Sequence, residues 1–174
     1  KKLGAKDYID FTKKILKETK NKPISIEVFS DDEKSCYKQA KKIASLSNKI
    51  FVKIPITYTN GKSTKNLIKI LSNEGLMLNI TAIFTLEQIK EILESLGQKK
   101  HILSVFSGRI YDIGLNAANI FKEITDFTHS NSKCETLWAS CRMPYDVISA
   151  ANCNGDIITM APEHVRKLKK FGKS

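Results

Sequence analysis

Along the chain, apolar and polar positions switch repeatedly between two periods. Short runs rich in Ile, Val and Phe read as strands: Ile24–Phe29, Ile50–Thr57, Met77–Phe84, Ile102–Ser107, Thr136–Arg142 and Asp156–Met160. Between them apolar residues recur three and four apart, as in Ile43 and Leu46 or Ile89, Ile92, Leu93 and Leu96. That spacing lines one face of a helix. Asp31-Asp32-Glu33 puts acids in the first turn of one helix, and Thr85-Leu86-Glu87-Gln88 reads as a capping box opening another. A further helix, Asp7 to Thr19, precedes the first strand. Tandem strand–helix units predict a parallel sheet, and without linker or low-complexity stretch they predict one domain over residues 1–174.

Six strands suit an open doubly wound sheet or a closed barrel. No G-x-G-x-x-G and no P-loop follows any strand, which counts against the nucleotide-binding open sheets. A (β/α)8 barrel takes roughly 200 to 250 residues, and this chain has 174. The expectation is therefore an α/β chain folded as an incomplete (β/α)8 TIM barrel of about six units, without its first two strands and with an early end at Ser174.

Composition narrows the classes. An apolar fraction of 41% with 27% charged residues excludes disorder. No apolar run reaches the roughly 18 residues of a membrane span, and Lys1–Lys6 lacks the apolar stretch of a secretory signal. Cys36, Cys134, Cys141 and Cys153 form no C-x-x-C pair and the three histidines stand apart, so no metal is expected. Isolated thiols fit a reducing, cytoplasmic setting. The net charge of +11 could serve nucleic acid. The lysines are spread along helices, however, as in Lys13, Lys14, Lys17 and Lys20, which favours solvated faces over a nucleic-acid surface. A positive field that attracts anionic substrates is the milder expectation.

Side chains alternate faces along a strand. Ser25 and Glu27 then share a face, as do Lys53 and Thr57, Asn79 and Thr81, Ser104 and Phe106, and Ser140 and Arg142. Each strand thereby offers an aliphatic face to helices and a mixed polar face to an interior. A Glu and a Lys in mid-strand are costly to bury unless paired, so one reading is a structural Glu27–Lys53 ion pair. It leaves the polar groups at Asn79, Thr81, Ser104 and Ser140 unexplained. The chemical reading is that Lys53 is an amine able to condense with a ketone, with Glu27 and Thr81 of the right types to move a proton through water.

The runs Ser25-Ile26-Glu27-Val28, Val52-Lys53-Ile54-Pro55, Asn79-Ile80-Thr81-Ala82-Ile83-Phe84, Ser107-Gly108-Arg109-Ile110 and Ala139-Ser140-Cys141-Arg142 resemble the transaldolase family in order and spacing, over nearly the whole chain. The resemblance implies a cofactor-free transfer of a dihydroxyacetone unit between sugar phosphates, as in the non-oxidative pentose phosphate pathway. It implies that Lys53 forms the Schiff base and that Glu27 and Thr81 hold the catalytic water. Asn79, Ser104 and Phe106 would contact the sugar, and Arg109, Ser140 and Arg142 its phosphate. The planar fork of Arg suits phosphate independently of any family. A branch resembling fructose-6-phosphate aldolase has Gln and Tyr where Glu27 and Phe106 stand, so these two residues point to transfer rather than cleavage.

The family's first-strand aspartate and its Thr-Thr-Asn-Pro-Ser-type loop are not found, and Lys1 is expected to begin just after that loop. Val105 and Ser107 also interrupt the Pro-Phe-Val pattern common there. Aldol cleavage and a basic binding module remain the alternatives, and a homo-oligomer is left open.

Overall fold

Asp7 opens the first helix, its carboxylate accepting from the Ile9 and Asp10 amides at 2.7 and 3.0 Å. The computed structural model describes residues 7–20, 22–97 and 99–173. This helix, α1, covers Tyr8–Glu18. The strands that follow are β1 (Ile24–Glu27), β2 (Ile50–Pro55), β3 (Leu78–Ile83), β4 (Ile102–Val105), β5 (Glu135–Trp138) and β6 (Ile157–Ile158). Alternating with them are α2 (Glu33–Ala44), α3 (Lys65–Asn73), α4 (Leu86–Leu93), α5 (Ser107–Asp112), α6 (Ala117–Asn131), α7 (Asp146–Asn152) and α8 (Pro162–Leu168). The capping box of α4 forms as expected, whereas of the three acids expected in the first turn of α2 only Glu33 lies there, Asp32 being the N-cap and Asp31 preceding it. Asp32 accepts from the Ser35 amide at 2.9 Å, and Thr85 and Gln88 make the reciprocal capping box of α4.

All pairings between the six described strands are parallel, and the strands lie in chain order from β1 to β6. They form a curled half-barrel with alternating helices, an incomplete (β/α)8 barrel. One side of the sheet carries Val52, Ile54, Leu78, Ile80, Leu103 and Trp138, packed with Leu67, Leu71, Ile89, Ile92, Phe121 and Ile124 of the helices. Each such aliphatic burial contributes roughly 1.5–3 kcal/mol. The other side holds a smaller apolar cluster of Phe51, Ile102, Leu137 and Ala139, with Met77, Phe106 and Ile157 against it.

The strands are shorter than alternation alone suggests, for local reasons. Ala82 is left-handed (φ 59°), and the register between β3 and β4 shifts between Ile80 and Ile83. Ser140 is also left-handed (φ 61°), so β5 stops at Trp138 and its alternation does not extend to Ser140 and Arg142. Ser107 starts α5 rather than ending a strand.

Candidate active site

Register brings the polar interior together. Glu27 lies beside Lys53 across β1 and β2, and Lys53 beside Asn79 across β2 and β3. Lys53, Asn79 and Ser104 line a cavity of about 490 Å³ together with Ser25, Thr159 and a floor that includes Phe51, Ile102 and Leu137. Lys53 Nζ stands 3.6 Å from Glu27 Oε2, with the side chains 28% and 40% exposed. This is an ion pair at a separation too long for a direct hydrogen bond.

Three strands share one polar chain. Ser104 Oγ donates to Asn79 Oδ1 at 2.6 Å, and Asn79 Nδ2 donates to Ser25 Oγ at 2.8 Å. Asn79 and Ser104 are buried, so the Asn79 amide cannot rotate without losing a partner. Ser104→Ala is expected to cost about 1–2 kcal/mol in urea unfolding, because it strands the buried Asn79 oxygen. Thr81 lies in β3 beside Pro55. It is 1% exposed, and its Oγ1 has no hydrogen-bond partner among the described residues. A buried hydroxyl without a partner is costly unless a water or ligand completes it.

Phe106 follows β4 and packs on Phe84 with ring centroids 5.9 Å apart. The Arg109 guanidinium lies 4.8 Å above the Phe106 ring. Arg142 is held by the Asp112 carboxylate through Nε at 2.9 and 3.1 Å and through Nη2. Asp112 consequently stays ionised below the ordinary carboxylate range. Arg142 Nη1 donates to the Ser140 carbonyl at 3.1 Å. Helix α5 and the segment after β5 meet because residue 108 is glycine: a Cβ there would stand 1.6 Å from the Ser140 carbonyl oxygen.

The candidates thus fall into two groups. Lys53, Asn79 and Ser104 line the cavity; Glu27, beside Lys53, and Thr81, two residues after Asn79 on β3, stand next to it without lining it. Arg109, Ser140 and Arg142 form a rim beyond Phe106, and none of the three lines the cavity. Sequence reasoning left Ser25 and Thr159 out of the site. For Ser25 the signal was present, two positions before Glu27 on the same face. Thr159 follows a strand of only two residues, too short to show alternation.

The charge is sorted differently from the expected substrate-attracting field. Loops entering the strands carry Lys20, Lys22, Lys49, Lys99, Lys100 and Lys133 against Glu74, Glu94 and Asp156. Segments leaving the strands, on the side of Thr81 and Arg109, carry Asp31, Asp32, Glu33, Glu87, Asp112 and Asp146 against Lys62, Lys65, Arg109 and Arg142. Any local attraction for an anion there rests on these four cations against a larger number of acids.

Residues 2–174 match the family model described as Transaldolase/Fructose-6-phosphate aldolase. A "probable transaldolase" of Clostridioides difficile is 32% identical over 166 residues, covering 95% of this chain and 73% of that protein. One of Thermoplasma volcanium is 35% identical over 172 residues, covering 98% and 74%. Among solved structures, a mandelate oxidase variant aligns with a TM-score of 0.61 at 13% identity, over 90% of this chain and 57% of that one. Thiamine phosphate pyrophosphorylase from Pyrococcus furiosus aligns at 0.53 and 12% identity, over 94% and 89%. At such identities the structural matches show the fold alone. No described helix is long and apolar enough to cross a membrane.

Proposed function

This chain belongs to the transaldolase/fructose-6-phosphate aldolase family, and on that premise we propose that it serves the transfer of a dihydroxyacetone unit between sugar phosphates through an imine on Lys53. The observation that carries the reading is the placement of the Lys53 amine in the cavity, 3.6 Å from the Glu27 carboxylate. An amine attacks a carbonyl only as the free base. A carboxylate near enough to act through one water, but not directly bonded to the amine, suits that proton traffic.

In this reading Lys53 first passes a proton through water to Glu27, and its free amine then adds to the ketose carbonyl carbon to give, after proton transfer from nitrogen to oxygen, a carbinolamine. Glu27 then supplies, through water, the proton that lets the hydroxyl leave as water, forming the protonated imine. The imine draws in the electron pair of the bond between the α and β carbons as that bond breaks. The distal fragment departs as an aldehyde while its hydroxyl proton passes to a base, and a three-carbon enamine stays on Lys53. Attack of the enamine on an acceptor aldehyde and hydrolysis of the new imine return the lysine. Thr81 Oγ1, buried and without a partner among the described residues, is suited to hold the water that Glu27 uses. Asn79 and Ser104 supply fixed donors and acceptors for sugar hydroxyls, and Phe106 an apolar wall. Arg109, Arg142 and Ser140 would take the phosphate.

Borohydride reduction in the presence of fructose 6-phosphate is expected to add a sugar fragment to the protein at Lys53, located by peptide mass spectrometry. Label on any other lysine would sink the assignment. Product analysis with and without an aldehyde phosphate separates transfer from cleavage. Dihydroxyacetone released without the acceptor would favour the aldolase branch.

A further inference from the structure

The rim arginines are not equivalent. Arg109 reaches into solvent over Phe106, whereas Arg142 is braced at both ends. Its backbone amide and that of Met143 donate to Asp146 Oδ2 at 2.7 and 3.1 Å, and Asp146 is 2% exposed. Its guanidinium has five N–H donors. Nε and one Nη2 donor go to Asp112, and one Nη1 donor goes to the Ser140 carbonyl, leaving one donor on each Nη. The Arg142 and Asp112 side chains are 41% and 50% exposed. An ion pair so exposed contributes little to stability, yet here it is two-pronged and closes the contact between α5 and the segment after β5. Gly108 is what permits that contact.

We propose that Asp112 is a positioning residue for sugar-phosphate recognition, holding the Nε edge of Arg142 so that its two remaining Nη donors are pre-set for the phosphate. The inference rests on the reading of Arg142 as a phosphate ligand. Two effects of Asp112 oppose each other. Its negative charge disfavours a second anion nearby, but at a half-exposed site that repulsion is weakened by water and salt. Its grip also removes the rotamer freedom that a long arginine side chain would otherwise lose on binding. That ordering benefit is not screened, so the net effect of Asp112 is tighter phosphate binding.

The test compares fructose 6-phosphate with dihydroxyacetone, which lacks the phosphate, as ketones for borohydride trapping. In Asp112→Ala the half-saturating fructose 6-phosphate concentration is expected to rise about tenfold, the scale of one charge-assisted contact. Maximal trapping and the dihydroxyacetone half-saturation should not move, and Asp112→Glu should restore most of the loss. An unchanged or lower half-saturating concentration for fructose 6-phosphate in Asp112→Ala overturns the proposal. If the parent chain traps no ketose, the imine reading fails separately, and calorimetric titration with inorganic phosphate decides instead. Weaker phosphate binding by Asp112→Ala then supports the proposal; equal binding, or none by either protein, overturns it.

Discussion

Lys53→Met is expected to leave no borohydride-trapped adduct with any ketose, while its unfolding free energy stays within about 1 kcal/mol of the parent chain. Both halves follow from the same geometry. Methionine keeps the unbranched stem of lysine and fills the same space beside Phe51 and Asn79 with a flexible apolar chain. The carboxylate left behind, Glu27, is 40% exposed, so water replaces the lost cation at small cost. The imine, in contrast, has no substitute nucleophile, and its loss is total. Lys53→Arg sharpens the result, because it keeps the positive charge beside Glu27 and removes only the reactive amine. An adduct that persists in either variant would place the nucleophile elsewhere. A large drop in stability in Lys53→Met would instead make the Glu27 pair a structural one.

Acidification from pH 7 to pH 4 is expected to remove about 3 kcal/mol of folding stability through His101. This histidine is fully buried. Its Nδ1 accepts from the Leu78 amide at 3.2 Å, and Nε2 faces Ser72 Oγ at 3.1 Å. With Nδ1 accepting, the proton of the neutral ring belongs on Nε2, which donates to Ser72. Burial pushes the pKa down from 6.5 to about 4. Above pH 6.5 the ring is neutral folded and unfolded, and the stability is complete. As pH falls from there, the unfolded chain takes up a proton that the folded chain refuses. Stability is lost progressively until about pH 4, where the folded state protonates as well. The check is urea unfolding at pH 7, 5.5 and 4.5 for the parent chain and His101→Gln. The glutamine variant should be less stable at pH 7 but nearly flat over this window. An equally steep loss in the variant would assign the acid sensitivity to other groups.

The interior of the half-barrel was readable because it depends on the strictest regularity a strand has, its period of two. Lys53, Asn79 and Ser104 face the cavity for the same reason that Val52, Ile54, Ile80 and Leu103 face the helices. Nothing but alternation is required to separate the two sets. The loops did not yield to that reasoning. Ala82 and Ser140 take left-handed conformations that no residue type at those positions announces. Each breaks the alternation just where the strand-end residues begin. Thus Arg142, a pair with Ser140 by parity, is instead held by Asp112, Asp146 and the Ser140 carbonyl. The partners of Arg142 lie 2, 4 and 30 residues away, and only the last is a long-range contact, which closes α5 onto the segment after β5.

Periodicity, caps and the order of five short runs were enough to establish a parallel barrel-type sheet, its family and the inward-facing lysine, because each is a local property of the chain. Three features belong to the folded chain alone. They are the 3.6 Å spacing of Lys53 from Glu27, the orphaned hydroxyl of Thr81, and the bracing of Arg142 by Asp112. The strand register sets the first, the β3 surroundings leave the second without a partner among the described residues, and the bare backbone of Gly108 permits the third. Such distances arise where segments far apart in sequence pack, and no pattern along one segment can encode them. Lys53 could be found from the chain; its chemical setting required the neighbouring strands.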